Sequence, residues 1–207
     1  MISDLDEFLN NQSPKVLLGK RRSLKFLRLA YAKGCIGLMV KPTSDLLAHD
    51  AGFSFNLGCA DPELRRIASW VLTNSKNRRK LARLIPALWK RHGYEDLKMA
   101  GILLSNLSKD DLGEDPWMAF IHLLQRQESL DMILDISEEI IRGGSPVPND
   151  TWIVEMSKQS KLWHQTAVIF CSLSKRNSTT CKQMIELAPT GGELFERIRI
   201  RALAEQN

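Results

Sequence analysis

The spacing of apolar and polar positions reads as helix from end to end. "SPKVLLGKRRSLKFLRLAYAKG" (13–34) sets Val16, Leu17, Leu24, Phe26, Leu27 and Tyr31 at a helical period. Ser13 suits an N-cap, Pro14 the first helical position and Gly34 a C-terminal stop. "DPELRRIASWVLTN" (61–74) and "DPWMAFIHLLQRQ" (115–127) repeat the device, each with an aspartate cap and a proline behind it. Helical pattern also runs through 78–93, 94–107, 129–144, 150–160, 162–175, 179–188 and 192–206. Pro86 removes a backbone donor and clashes with the preceding turn, so it kinks or divides the helix of 78–93. The count is about ten helices of roughly 10 to 20 residues joined by short polar turns. No run of alternating β-branched residues competes with them. The fold class is therefore all-α. Successive amphipathic pairs, none able to bury its face alone, predict an α-solenoid, or superhelix, as a single domain over 1–207. The repeats are not visible as sequence copies, which keeps a compact helical bundle as the alternative. "RGGSPVPND" (142–150) is expected as a loop between repeats.

Composition narrows the class. A chain of 207 residues with 43% hydrophobic and 26% charged positions is globular. The apolar run "CIGLMV" (35–40) is too short to cross a bilayer, and the acidic start "MISDLDEF" lacks the basic region of a secretory signal. The expectation is a cytoplasmic monomer with no membrane association. Cys35, Cys59, Cys171 and Cys181 lack the paired spacing of a zinc site or disulfide framework and are expected as reduced thiols. His49, His92, His122 and His164 stand apart with no ligand partner at suitable spacing, so no metal is expected. With no Gly-rich phosphate loop and no nucleophile elbow, no cofactor is expected either.

Charge changes the picture more than composition does. Eight basic residues and no acid fall between Lys15 and Lys41, and nine basic residues and no acid between Arg65 and Arg91. Residues 109 to 155 hold eleven acids against Lys109, Arg126 and Arg142. Solvated surfaces usually mix the signs, so two all-basic helical regions point to a polyanion, with a plain basic face as the alternative.

Within "FSFNLGCADPELRRIASWVL" (53–72), an aromatic lead-in, Leu57-Gly58, Pro62, Leu64-Arg65 and Ala68 follow in order. "LIPALWKRHGYEDLKMAGILL" (84–104) and "MSKQSKLWHQTAVIF" (156–170) come after. Together these pieces, spanning roughly 53 to 175, resemble the DNA alkylation repair (AlkD-like) glycosylase family. The resemblance implies a solenoid of HEAT-like repeats whose basic concave face embraces double-stranded DNA, and in active members the release of N3- and N7-alkylated purines. It accounts for Arg65, Arg66, Arg78, Arg79 and Lys80 as phosphate contacts, since such cations release counterions on binding. Arg65 could instead pair with an acid such as Glu63 or Asp96. Lys161, Trp163 and Gln165 are the DNA contacts implied for the later segment, with Trp163 equally readable as core.

The family's catalytic aspartate ends a motif of Trp-Asp, any residue, apolar, Asp. The matching stretch is "QESLD", which makes Asp131 the implied carboxylate, with Asp135 as the alternative one turn on. An alkylated purine already carries positive charge, so a fixed carboxylate beside the developing sugar cation is the main requirement. The chain departs from the pattern three times: Gln127 replaces the motif's tryptophan, Gln165-Thr166 replaces an arginine pair, and no tryptophan follows Trp163 where the resemblance implies a further aromatic contact. Three readings follow: a glycosylase, a non-catalytic member that binds DNA structure, and a protein–protein scaffold built on the same solenoid.

Overall fold

The computed structural model describes residues 3–35, 52–125, 128–175 and 178–205, and its elements follow from their caps. Ser3 accepts from the Asp6 amide and opens α1 (Asp4–Asn10), a helix the periodicity did not announce. The long helix expected over 13–34 is cut in two. Ser13 caps only a 3₁₀ turn, Pro14–Leu18, and Gly19 then runs extended (φ −144°, ψ 138°) before α2 (Lys20–Lys33) begins. The apolar stripe survives the break because Leu17, Phe26, Leu27 and Tyr31 all point inward. The period was right and the continuity was not.

Next come α3 (Asp61–Asn74), α4 (Arg78–Ala82), α5 (Ile85–Arg91), α6 (Tyr94–Asn106), α7 (Lys109–Leu112) and α8 (Pro116–Leu123). Pro86 does divide its segment: α4 stops at Ala82, and α5 starts with the proline in its first turn, where a missing amide costs nothing. Asp115 caps α8 through the Trp117 amide as expected. Asp61 does not cap α3. Ala60 holds that position, and the Asp61 carboxylate faces Arg65 and Lys98 instead.

After these lie α9 (Leu130–Arg142), α10 (Asp150–Ser157), α11 (Lys161–Leu173), α12 (Thr179–Glu186) and α13 (Glu193–Ala204). Side chains of Ser129, Asn149, Ser160 and Ser178 cap the first four. Six of the helices reach 12 to 14 residues and the others are shorter than expected. The described residues hold no strand, only isolated bridges at Cys35–Cys59 and Phe55–Gly93.

The chain packs as two compact units, Met1–Leu124 and Gln125–Asn207. The first closes on Tyr31, Ile67, Leu88, Trp89 and Phe120, with the Trp89 and Phe120 rings meeting edge-on at 5.9 Å. The second closes on Ile133, Ile140, Ile153, Phe170 and Phe195, with α11 packed on α9, α10, α12 and α13. Each fully buried side chain of this size is worth about 1.5–3 kcal/mol over its exposed state. No helix among the described residues is long and apolar enough to cross a membrane.

Candidate nucleic-acid interface

The stretch from Phe53 to Leu72 is built around one buried carboxylate. Gly58 takes a left-handed conformation (φ 77°) that few other residues hold without strain. The bend turns the amides of Leu57 and Cys59 onto Glu95 Oε1, at 2.7 and 3.3 Å. Ser54 N–H donates to the His92 carbonyl and Tyr94 N–H to that of Phe55, at 2.8 and 2.9 Å, pinning the stretch to the head of α6. The Phe55 ring lies 4.2 Å from the Arg28 guanidinium and 5.6 Å from that of Arg91. Leu64 and Ala68 point into the core. Most of the residues that carry the resemblance here therefore shape the fold.

Glu95 and Asp96 are both fully buried and act differently. Burial pushes the Glu95 carboxyl above its ordinary value, against amide hydrogen bonds that favour the charge. Asp96 is likewise pushed up by burial, and the Arg91 guanidinium, which grips both its oxygens, pulls the other way. Arg91 also donates to the Leu24 carbonyl at 2.9 Å, tying α5 to α2. Sequence reasoning missed this pair of acids as a structural centre. The only signal was two adjacent carboxylates opening an otherwise apolar helix.

The expected phosphate-binding arginines differ in how they are held. Arg65 Nε donates to Asp61 Oδ2 at 2.7 Å within α3, while Asp96 is occupied by Arg91. Arg66 pairs with Asp6 of α1. Both pairs are solvated, so each contributes little to stability and leaves the guanidinium open to exchange its partner. On α4, Arg79 and Lys80 are exposed and Arg78 is half-buried. Asn77 sets that helix by accepting from the Lys80 amide at 3.1 Å.

In the second unit Asp131 is exposed on the first turn of α9, whose other face buries Met132, Ile133, Ile136 and Ile140. Asp135 is half-buried one turn along. Glu128, just ahead of the Ser129 cap, is buried and accepts from the Gln125 amide. Gln127 lies outside the described residues. Helix α11 packs against α9 and begins with Lys161 exposed and Trp163 half-buried. Gln165 is only 7% exposed and its amide lies 3.4 Å from the Thr190 carbonyl. Thr166 is fully buried and donates to the Leu162 carbonyl at 2.8 Å. Lys161 and Trp163 thus stand at the mouth of α11, and the positions where the family pattern has arginines lie inside the unit.

Among the described residues no group of three or more His, Cys, Asp or Glu is placed to hold a metal. His122 faces Glu114 at 3.0 Å, His164 meets the Met184 carbonyl at 2.8 Å and His92 is buried, while His49 lies outside the described residues. Compared with known families, residues 48–191 match the one described as DNA alkylation repair enzyme. No curated protein and no solved structure matches the chain.

Proposed function

The chain belongs to the DNA alkylation repair enzyme family, and from that premise we propose that it binds duplex DNA and releases N3- or N7-alkylated purines. Its helix pairs act as HEAT-like repeats. Arg65, Arg66, Arg78, Arg79 and Lys80 contact phosphates from the first unit, and Lys161 and Trp163 contact the backbone from the second. The observation that carries this reading is the family match itself, whose span takes in Asp131 and every one of these side chains.

The chemistry asks little of the protein. Alkylation leaves the purine cationic, so the glycosidic bond breaks with its electron pair moving onto the base, which departs neutral. Positive charge then develops on the sugar at C1′. An exposed carboxylate held on the first turn of a helix stabilises that charge electrostatically. Water adds to C1′ and releases a proton. Asp131 is the carboxylate assigned to this role, and its exposure leaves it open to a sugar.

Duplex DNA treated with a methylating agent tests the proposal. The wild-type chain should release methylated bases, counted by chromatography, and Asp131→Asn should lower the rate at least about 100-fold with binding retained. An Asp131→Asn variant that excises at the wild-type rate would overturn the role of that residue. A second reading, a member that binds DNA without excising bases, is favoured by the burial of Gln165 and Thr166. Duplex binding with no base release from wild-type protein would establish it.

A further inference from the structure

The break at Gly19 brings the two all-basic segments of the chain together. A pocket of about 360 Å³ lies against that bend, with Lys20, Lys80 and Arg83 among its lining. A second, of about 350 Å³, is lined in part by Lys15, Lys76 and Lys80. Leu17, Leu18 and Lys80 belong to both, so the two adjoin across Leu18, which is 59% exposed. Among the described residues lining either pocket there is no carboxylate. All five cations are exposed, and none forms an ion pair with a carboxylate of the described residues. Arg65, Arg66 and Arg91, by contrast, each have an acidic partner.

Backbone geometry adds to the charge. Gly19 caps α2 without a side-chain acceptor, so the first-turn amides of a 14-residue helix have no cap. A side chain built at Gly19 would meet nothing within 4 Å, which leaves the approach to those amides open. Oxyanions suit such a place, because the amides donate and the helix dipole favours negative charge. Leu17, Leu18 and Leu84 supply apolar surface beside the cations. Either pocket has room for more than an inorganic ion.

We propose that this paired pocket on the Pro14–Leu18 turn binds a phosphate-bearing ligand of nucleotide size, the phosphate held by Lys20, Lys80, Arg83 and the first amides of α2, with sugar or base against Leu17 and Leu18. One wall of the site comes from residues that precede the family match at 48–191. It therefore extends beyond the duplex contacts proposed above, sharing only Lys80 with them, and does not depend on base excision. The phosphate has two sources, a free nucleotide or the backbone of a single-stranded nucleic acid.

Calorimetric titration of the full chain at low salt with adenosine monophosphate, a short single-stranded oligonucleotide and thymidine tests this. The phosphate-bearing probes should bind and thymidine should not. Binding of the monophosphate assigns a free nucleotide, and binding of the oligonucleotide alone assigns the nucleic-acid backbone. Lys20→Glu and Arg83→Glu should each weaken that binding by about tenfold, and Lys90→Glu, an exposed cation outside both pockets, should leave it nearly unchanged. No binding of either phosphate probe at millimolar concentration, or equal weakening by all three variants, overturns the proposal. Failure here leaves the duplex reading standing, since that reading is tested by base release and Asp131→Asn.

Discussion

Glu95 shows how a single residue can matter to a motif without touching a ligand. One of its oxygens gathers two amides of the Gly58 bend, and the other is buried without a hydrogen-bond partner. Because burial raises the carboxyl's proton affinity in the folded state, the charged form works against the fold. Stability from this group is therefore greatest below the ordinary carboxyl value of 4.5 and is lost as pH rises through the raised one. Glu95→Gln keeps the accepting oxygen and removes the charge. Its thermal midpoint should gain on wild type progressively as pH climbs from 4.5 up through the raised value. A gap that stays constant across that range would show that Glu95 charge does not oppose folding.

Among elements, the Phe55 stretch packs closely against the head of α6. A β-carbon at Gly93 would sit 2.0 Å from Phe55 Cζ, so the ring occupies the space a side chain would need. Gly93→Ala should cost about 1–3 kcal/mol in urea unfolding. Combined with Phe55→Ala, whose smaller side chain vacates that space, it should add much less than its single cost. Full additivity would mean the two residues are not in steric conflict. Breaks between elements matter as much as the elements: Gly19 separates the Pro14–Leu18 turn from α2 and lines a pocket, and Pro86 sits in the first turn of α5 where it divides the basic segment.

At the scale of the molecule, charge separates with the packing. Met1–Leu124 holds 19 Lys and Arg against 13 Asp and Glu, and Gln125–Asn207 holds 10 against 11. The net positive charge therefore belongs to the first unit, and the carboxylate proposed above as catalytic to the nearly neutral second. Duplex affinity should fall steeply between low and physiological salt, as counterion release requires. Arg79→Glu should reduce the slope of log affinity against log salt by about one, with little dependence on sequence. An unchanged slope would remove Arg79 from the phosphate contacts.

Period and punctuation along the chain determined its helical class, most helix positions, the division at Pro86 and the segregation of charge, because these depend on neighbours a few residues apart. The family was legible too, from short pieces in order. Burial and partnership were decided only in three dimensions. Arg65 met Asp61, Gln165 and Thr166 turned inward, and Glu95 became the anchor of a bend 36 to 38 residues away. Four cysteines with no shared spacing ended up as two neighbouring pairs, Cys35 beside Cys59 and Cys171 beside Cys181 at 3.1 Å between sulfurs. The reason is physical: a side chain's period sets which face of its own helix it occupies, but the elements packed against that face decide whether it meets core, counter-charge or ligand.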